Sequence, residues 1–507
     1  MSEISKPRNI ILAGIIILAV IARLIFISSN DYFYDDAYIT LRYAQNIFHG
    51  DGFVYNYGEY VYGASSPLYT LMMAAVSAVA SDQILPLAAR CIGCIGLLAV
   101  VFVLWKFLQL TTLAKFVMAI GLVSYPRIFY SSIGGMEECF ILLLMGLSFA
   151  AAMRHSRFWL GIVIALLFVT KVDTLAWVAC LLVGETLSKK RVPWEPVVVA
   201  LLFSLPWIVY SAYTFGSVFP HTIEAKQVAH VQMDGFHLYD ALLLAVPDGF
   251  KDNLWLAMLF GVFAYGSLGI CLWSVVRTKD WRFLVFPLYC VAYIMALFAS
   301  GTPLGLWNRW TVPVWGALIV SFSYVVNSLD ARFHSWFSLF DVPRRGTIVG
   351  VLVVLCFSLL TPFVYYNRRS LESYSFREAG EWLRDHAARD ESVFLEPIGL
   401  IGYLSKLYVH DYIGLVSPAV VVARKAGMNS NRWFVRYLKD RLPTYVILRS
   451  EEIRNNEFAY GGYGDGLFTS EEKDWFDKEY QRVIQTSRGP EIDRLVVYKR
   501  GKNSLRL

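Results

Sequence analysis

The sequence predicts a polytopic α-helical membrane protein of about eleven transmembrane helices, with a C-terminal extracytoplasmic α/β domain. Three observations predict it. The 507 residues are 56% hydrophobic and only 17% charged, with a mean hydropathy of +0.48, whereas a soluble chain of this length carries nearer a quarter charged residues. Apolar runs recur, each close to the ~20 residues that cross a bilayer as a helix. The last 142 residues break that pattern, holding 23 of the 46 Lys/Arg and 20 of the 40 Asp/Glu. The formal charge of +6 is no argument for nucleic acid, because the basic residues gather at the ends of apolar runs, where they set topology.

The first run, Ile10 to Ser28, follows Lys6 and Arg8. It is long for a signal core and no small-residue cleavage site precedes Asn30, so it reads as a retained first span. The spans expected are 10–28, 84–108, 112–125, 137–153, 158–170, 172–188, 196–215, 253–276, 283–300, 308–327 and 346–365. Several are short for a crossing, the mark of broken or tilted helices. The segment 67–80 is apolar but too short, and reads as an interfacial helix. With the N-terminus cytoplasmic, the inside loops carry Lys106 and Lys115, Arg154 and Arg157, Lys189 to Arg191, Arg277 to Arg282, then Arg332, Arg344 and Arg345. All are short and basic, as the positive-inside rule asks. Counting 67–80 as a span would invert every later loop.

This topology divides the chain into a membrane domain, 1–365, with a first outside loop at 29–66, and an outside domain, 366–507. Within the latter, Phe376 to His386 reads as a helix, and Ser392–Leu395, Tyr445–Leu448 and Leu495–Tyr498 as short strands, which makes a small α/β domain. All seven cysteines lie in apolar runs; Cys91 and Cys94 form a CxxC with no second pair and no nearby His, so buried thiols are expected rather than a redox or zinc pair.

The first outside loop, SNDYFYDDAYITLRYAQNIFHGDGFVYNYGEYVYGASS, is the most informative stretch. Asp35 and Asp36 stand where the chain leaves the first span. From Ala37 to Phe48 the apolar spacing suits an amphipathic helix with the acidic pair at its N-terminus, where helix-end N–H groups favour negative charge. One Asp is accounted for by capping; capping does not explain the second. Adjacent carboxylates raise each other's proton affinity, which suits one of them to act as general base on a hydroxyl. The pair is equally suited to hold a divalent cation. Sequence does not separate the two roles.

Other polar residues recur at the outside ends of spans. Glu137 and Glu138 follow Gly134-Gly135-Met136; Lys171 and Asp173 lie between the fifth and sixth spans; FPHTIEAK brings His221, Glu224 and Lys226; WNRWTVP brings Arg309. Singly each reads equally as an interfacial anchor. Together they gather acids and bases on one face of the membrane, where ionisable groups mark functional sites. Lys226 and Arg309 are suited to neutralise a leaving phosphate. There is no Walker GxxxxGK[ST] or HExxH, and GGYGDG at 461–466 reads as a loop.

These segments resemble the GT-C class of polyprenyl-phosphate-dependent glycosyltransferases, and within it the terminal arabinofuranosyltransferases of mycobacterial walls. DDAYITLRYAQNIFHGDGFVYNYGEYVYGASSPLYTL is similar nearly end to end, with Asp35, Asp36, Arg42, Gly52, Asn56, Gly58, Glu59 and Ser66-Pro67-Leu68 in register. SSIGGMEECF resembles the family's glycine–hydrophobic–glutamate segment, with Glu137 in the glutamate place. KVD (171–173), FPHTIEAK, NRWTVP and EPIGLIGYLSKLYVHDYIGLVSP (396–418) resemble further segments. Two departures stand out: His221 replaces an Asn, and Lys171-Val172 an Arg-Pro.

The resemblance implies an enzyme of the bacterial cytoplasmic (inner) membrane that moves a sugar, with inversion, from a polyprenyl-phosphate donor to an envelope glycan, lipid or protein. It implies Asp35 or Asp36 as base, and Arg42, Glu137, Lys171, Asp173, His221, Lys226 and Arg309 as donor-phosphate or substrate contacts, with no nucleotide cofactor. The rival readings are a lipid-linked-glycan flippase, which lacks the expected inverted repeat here, and a non-catalytic envelope assembly protein, which would not need the Asp pair.

Overall fold

In the computed structural model, residues 5–29, 32–79, 81–229, 254–300, 308–337, 369–427, 430–458, 464–488 and 494–501 are described. The expected span 346–365 and most of the loop 216–252 lie outside them. The chain forms two compact units. One is made of Met1–Asn30, Ala89–Leu205 and Asp234–Tyr366, the other of Asp31–Ala88, Pro206–Met233 and Asn367–Leu507. This grouping cuts across the 365/366 boundary drawn from composition, because the first outside loop and the segment after Pro206 pack with the tail.

The first unit is helical. By length and composition, three helices among the described residues of the whole chain can cross a membrane: Leu85–Phe107, Trp194–Phe215 and Val312–Asp330, the first two of which are divided between the units at Ala88 and Pro206. A bent pair, Thr112–Ser124 with Pro126–Ile133, turns by 55° and makes a fourth if counted as one span. The remaining apolar helices are shorter, among them Glu138–Met153 and Arg157–Thr170. Their brevity has local causes. Pro126 has no N–H to continue the helix before it, and Lys171 is extended at φ −164°, ψ 130°, which ends Arg157–Thr170 before a 3-10 turn, Val172–Thr174, leads into Leu175–Lys189.

Helix Val312–Phe337 is the axis of this unit, packing on Thr112–Ser124, Glu138–Met153, Leu254–Thr278 and Val285–Ser300. Small residues let the backbones approach. A Cβ on Gly93 would stand 2.5 Å from the Ser132 carbonyl oxygen, one on Gly316 2.5 Å from Leu142, and one on Gly184 2.7 Å from the Trp281 carbonyl oxygen.

The second unit carries a five-stranded sheet in the order β2-β1-β3-β5-β4. The strands are β1 Ser392–Leu395, β2 Tyr408–Asp411, β3 Tyr445–Arg449, β4 Tyr480–Gln485 and β5 Leu495–Arg500. β1 is parallel to β2 and to β3, and each crossover is helical: Ile398–Ser405 between β1 and β2, Pro418–Ala426 and Arg432–Arg441 between β2 and β3. β5 is antiparallel to both β3 and β4. Phe394, Trp433, Phe434, Leu438, Phe476 and Val496 are in its core, which also takes in Ala229 from the second outside segment. The three expected strands and the helix ending at His386 are present; β2 and β4 are additional. Segment 67–80 holds an eleven-residue helix, Pro67–Ser77, packed on Asp35–His49.

The glycine contacts give a testable contrast. Gly93→Ala drives a methyl into backbone and is expected to cost about 1–3 kcal/mol. Gly266→Ala, where nothing lies within 4 Å, is expected to be neutral or to gain up to about 1 kcal/mol from helix propensity. Thermal unfolding in detergent reads both; equal midpoints for the two variants would refute the close-packing account.

Candidate functional site

The candidate residues fall into two sets, one in each unit. In the second unit, helix Asp35–His49 buries Ala37, Tyr38, Leu41 and Ala44 and ends at Gly50, whose φ of +89° is the left-handed conformation glycine supplies. Asp35 and Asp36 occupy its first turn. The residue before them, Tyr34, makes no side-chain cap bond for this helix.

Asp35 instead caps a different one. Its Oδ2 accepts from the Gly399 N–H at 2.8 Å and its Oδ1 from the Leu400 N–H at 2.8 Å. These are the first free amides of helix Ile398–Ser405, whose own N-cap, Pro397, offers no side-chain bond. Two turns further along, Arg42 takes the opposite end. Its Nη1 donates to the Gly402 carbonyl at 2.9 Å and its Nη2 to the Leu407 carbonyl at 2.7 Å, while its guanidinium stacks 4.1 Å over the Tyr55 ring. Residues seven apart share a helix face about 10 Å apart along the axis, which matches the two-turn helix they clamp. The negative group meets the positive helix end and the positive group the negative end.

Further bonds extend this contact. The Tyr55 hydroxyl donates to the Ile398 carbonyl at 2.6 Å. The Asn56 amide pairs with β2 as a backbone would: its Nδ2 donates to the Val409 carbonyl and its Oδ1 accepts from the Val409 N–H, both at 2.9 Å. The Tyr408 hydroxyl donates to Glu59 Oε1 at 2.6 Å, and Lys406 donates to the Gln45 side chain. Side chains would not fit between the helices. A Cβ on Gly399 would stand 1.9 Å from the Asp35 carbonyl oxygen, and one on Gly402 2.0 Å from the Tyr55 hydroxyl.

Electrostatics follow from this enclosure. Burial pushes Asp35 up to about 7, opposed by the Leu400 and Gly399 amides and reinforced by the charges of Asp36 and Glu396. Burial, with the Arg42 charge beside it, pulls Lys406 down to about 8. His221 forms a closed pair with Tyr62: its N–H donates to the Tyr62 carbonyl at 3.0 Å and its Nδ1 accepts from the Tyr62 N–H at 3.1 Å. An accepting Nδ1 means a neutral ring with the proton on Nε2, and burial lowers the pKa of this imidazole below its usual value. Lys226 lies half-buried on helix Thr222–Ala229, which packs on Pro418–Ala426 and ties to it through an exposed Glu224–Lys425 ion pair.

In the first unit, Glu137 and Glu138 are fully buried where helix Glu138–Met153 begins, and Lys171 Nζ donates to Glu137 Oε1 at 2.7 Å. The helix break at Lys171 therefore supplies the counter-charge for a buried carboxylate. Asp173, on the 3-10 turn that follows, is exposed. Arg309 stands in the turn Asn308–Thr311; its side chain is outside the described residues.

Two arginines escaped the sequence reading. Arg23 donates to Ser132 Oγ at 2.7 Å, to the Ala19 carbonyl at 3.0 Å and to the Val123 carbonyl at 3.0 Å. Arg127 donates to Thr311 Oγ1 at 3.0 Å. Both are buried. The signal for Arg23 was a lone charge inside the run Ile10 to Ser28.

As for a cation, Asp35 has both oxygens on amides, and among the described residues no three His, Cys, Asp or Glu side chains come together.

Solved structures share the arrangement of the chain. The ArnT of Cupriavidus metallidurans in the apo state superposes with a TM-score of 0.60 at 13% identity, over 96% of this chain and 98% of that one. The same protein bound to undecaprenyl phosphate gives 0.58 at 11%, over 96% and 97%. The Archaeoglobus fulgidus oligosaccharyltransferase, in complex with Zn and sulfate, gives 0.57 at 13%, over 96% and 73%. The chain has the GT-C fold. That fold and the long apolar helices make it a multi-pass membrane protein. Residues 365–499 match a family described as a domain of unknown function, DUF8728. No curated protein matches the chain.

Two substitutions probe these contacts. Arg42→Met removes both carbonyl bonds and the stacking on Tyr55. It is expected to cost about 3 kcal/mol and to speed amide hydrogen exchange in helix 398–405 of the whole protein; unchanged exchange there would refute the clamp. Lys171→Met leaves Glu137 buried without its counter-charge, expected to cost about 3–5 kcal/mol. Lys171→Arg is expected to keep most of that stability, and a similar melting loss in both would show that the charge is not what matters.

Proposed function

We propose that this chain transfers a sugar from a polyprenyl-phosphate donor to a hydroxyl of an envelope glycan, lipid or protein, on the outer face of the bacterial cytoplasmic membrane. The observation that carries the reading is the Asp35–Asp36 pair on a packed helix in a chain of the GT-C fold. The undecaprenyl phosphate bound by the Cupriavidus metallidurans ArnT supports the donor class. Charge in the short loops supports a cytoplasmic N-terminus and an outside tail.

The chemistry is a single displacement with inversion. The acceptor oxygen attacks the anomeric carbon as its proton passes to a carboxylate of the Asp pair. The bond from that carbon to the phosphate oxygen breaks, and polyprenyl phosphate leaves with the electron pair. Lys226 and Arg309 supply positive charge for that phosphate. Asp173 and His221 contribute to substrate binding, the neutral His221 as a hydrogen-bond donor through Nε2, while Arg42 and the Glu137–Lys171 pair, whose charged groups are engaged inside the protein, hold the surrounding elements.

The test is transfer by the purified full-length protein in detergent, from a panel of polyprenyl-phosphate sugars to envelope extract, with and without chelator. The parent is expected to transfer from at least one donor, and the double variant D35N/D36N to lose about 100-fold or more. Transfer abolished by chelator would assign a divalent cation to the reaction. No transfer from any donor, with folded protein and an acceptor shown competent, would overturn the enzyme in favour of lipid-linked-glycan transport or envelope assembly.

A further inference from the structure

We infer that the tail rests on the lipid surface: Phe219, Ile223 and Val422 make an apolar patch that enters the headgroup layer at the C-terminal end of helix Trp194–Phe215 and brings helix Pro418–Ala426 onto the membrane. The inference rests on the chain being a multi-pass membrane protein and not on the glycosyl-transfer reading.

The membrane level is marked within the second unit itself. Helix Trp194–Phe215 is one of the three that can cross a bilayer, and its last turns, from Pro206, belong with the tail. Leu205, Val209 and Tyr213 recur every four residues, which puts them on one helix face, and all three are exposed. An exposed apolar face on a crossing helix is turned to lipid. Tyr213, 92% exposed, ends that face with a ring and a hydroxyl, the kind of side chain that favours the boundary between hydrocarbon and headgroups.

The segment that follows is held at this level. Gly216 turns the chain with a φ of +67°, and the stretch from Phe215 to Phe219 spans at most about 14 Å. The Ser217 hydroxyl closes the turn, donating to the Phe219 carbonyl at 2.8 Å and accepting from the Phe219 N–H at 3.2 Å. His221 is paired with the Tyr62 backbone at 3.0 and 3.1 Å. The Tyr62 ring stacks on Phe215 at 5.1 Å, and its hydroxyl accepts from Trp207 Nε1 at 3.1 Å. Residues 217–223 are therefore tied to the end of the crossing helix, with Phe219 and Ile223 exposed there.

The tail brings its own apolar group to the same place. Helix Thr222–Ala229 packs on Pro418–Ala426, and Glu224 pairs with Lys425. Val420 and Val421 are buried, whereas Val422 is 66% exposed; it stands three residues before Lys425 and so on the same face. Ile223 and Val422 are thus within one turn of the same ion pair, one on each helix. Scattered exposed hydrophobics need no explanation, but these are gathered beside a crossing helix. An apolar side chain flanked by a lysine whose stem reaches toward water is the pattern of a helix seated at an interface. Lys425 is answered by Glu224, so the contact draws on the apolar boundary and not on anionic headgroups.

The experiment places photoreactive benzoylphenylalanine, one position at a time, at Val422, Ile223 and Phe219 of the full chain in phosphatidylcholine vesicles, and reads lipid adducts by mass after irradiation. Tyr213 is the positive control, and Val483, exposed on β4 of the same unit, the negative one. Adducts at position 422 are expected within about threefold of those at 213 and at least about tenfold above those at 483. The yield should not change when phosphatidylglycerol replaces part of the lipid. All these side chains are exposed, and the unfolding midpoint checks each variant; if the one at 422 does not fold, 223 decides in its place.

Adducts at 422 no higher than at 483, with 213 labelled, would overturn the inference. So would cross-links that join two copies of the chain in place of lipid, or lipid adducts that appear only with phosphatidylglycerol, which would assign the contact to charge. Absence of adducts at 213 would overturn it first, since that helix face sets the membrane level.

Discussion

Within the second unit, a charge at each end of one short helix fastens the first outside loop to the tail. Helices Asp35–His49 and Ile398–Ser405 lie side by side in the same direction, an arrangement in which their dipoles repel. Asp35 at the N-terminal end and Arg42 midway along the same helix offset that penalty: Asp35 takes two free amides at the start of its neighbour, and Arg42 two carbonyls in and just past its neighbour's last turn. The bonds from Tyr55 and Asn56 then follow the same line onto β2.

That alignment explains what could be read in the sequence and what could not. The amphipathic helix after Asp35, and strands β1, β3 and β5, follow from local spacing, and each is present near its expected limits. β2 was missed because YVHD, with a His and an Asp in four residues, has no strand-like alternation; its Asp411 is buried all the same, accepting from the Ile413 and Val416 amides. β4 is an edge strand with three exposed residues in succession, so it carries no apolar signal. The capping role foreseen for one aspartate was legible as chemistry but not as geometry. The helix it caps belongs to the tail, hundreds of residues away, and no local pattern announces such a partner. The GT-C resemblance was carried by the same segments that make these bonds.

The first unit shows the same reliance on side chains that reach helix ends. Arg23 takes the Val123 carbonyl near the bend at Tyr125, and Lys171 meets Glu137 where the next helix breaks. Inside an apolar bundle there is no water to satisfy freed backbone groups or a buried carboxylate, so at these two breaks a charged residue answers them. The breaks that shorten these helices and the ionisable residues near them are one feature seen twice.

In a parallel α/β sheet, the helix end that follows a strand is the usual seat for a bound anion, because its amides converge there. Here that seat, just after β1, is filled by a carboxylate the chain carries itself. The chain thus fills, with its own side chain, a helix end that in other parallel sheets is open to an anion. It follows that loop and tail are inherited as a pair: a tail grafted from a relative would bring a helix end shaped for the other chain's aspartate, and the two segments can diverge only in step.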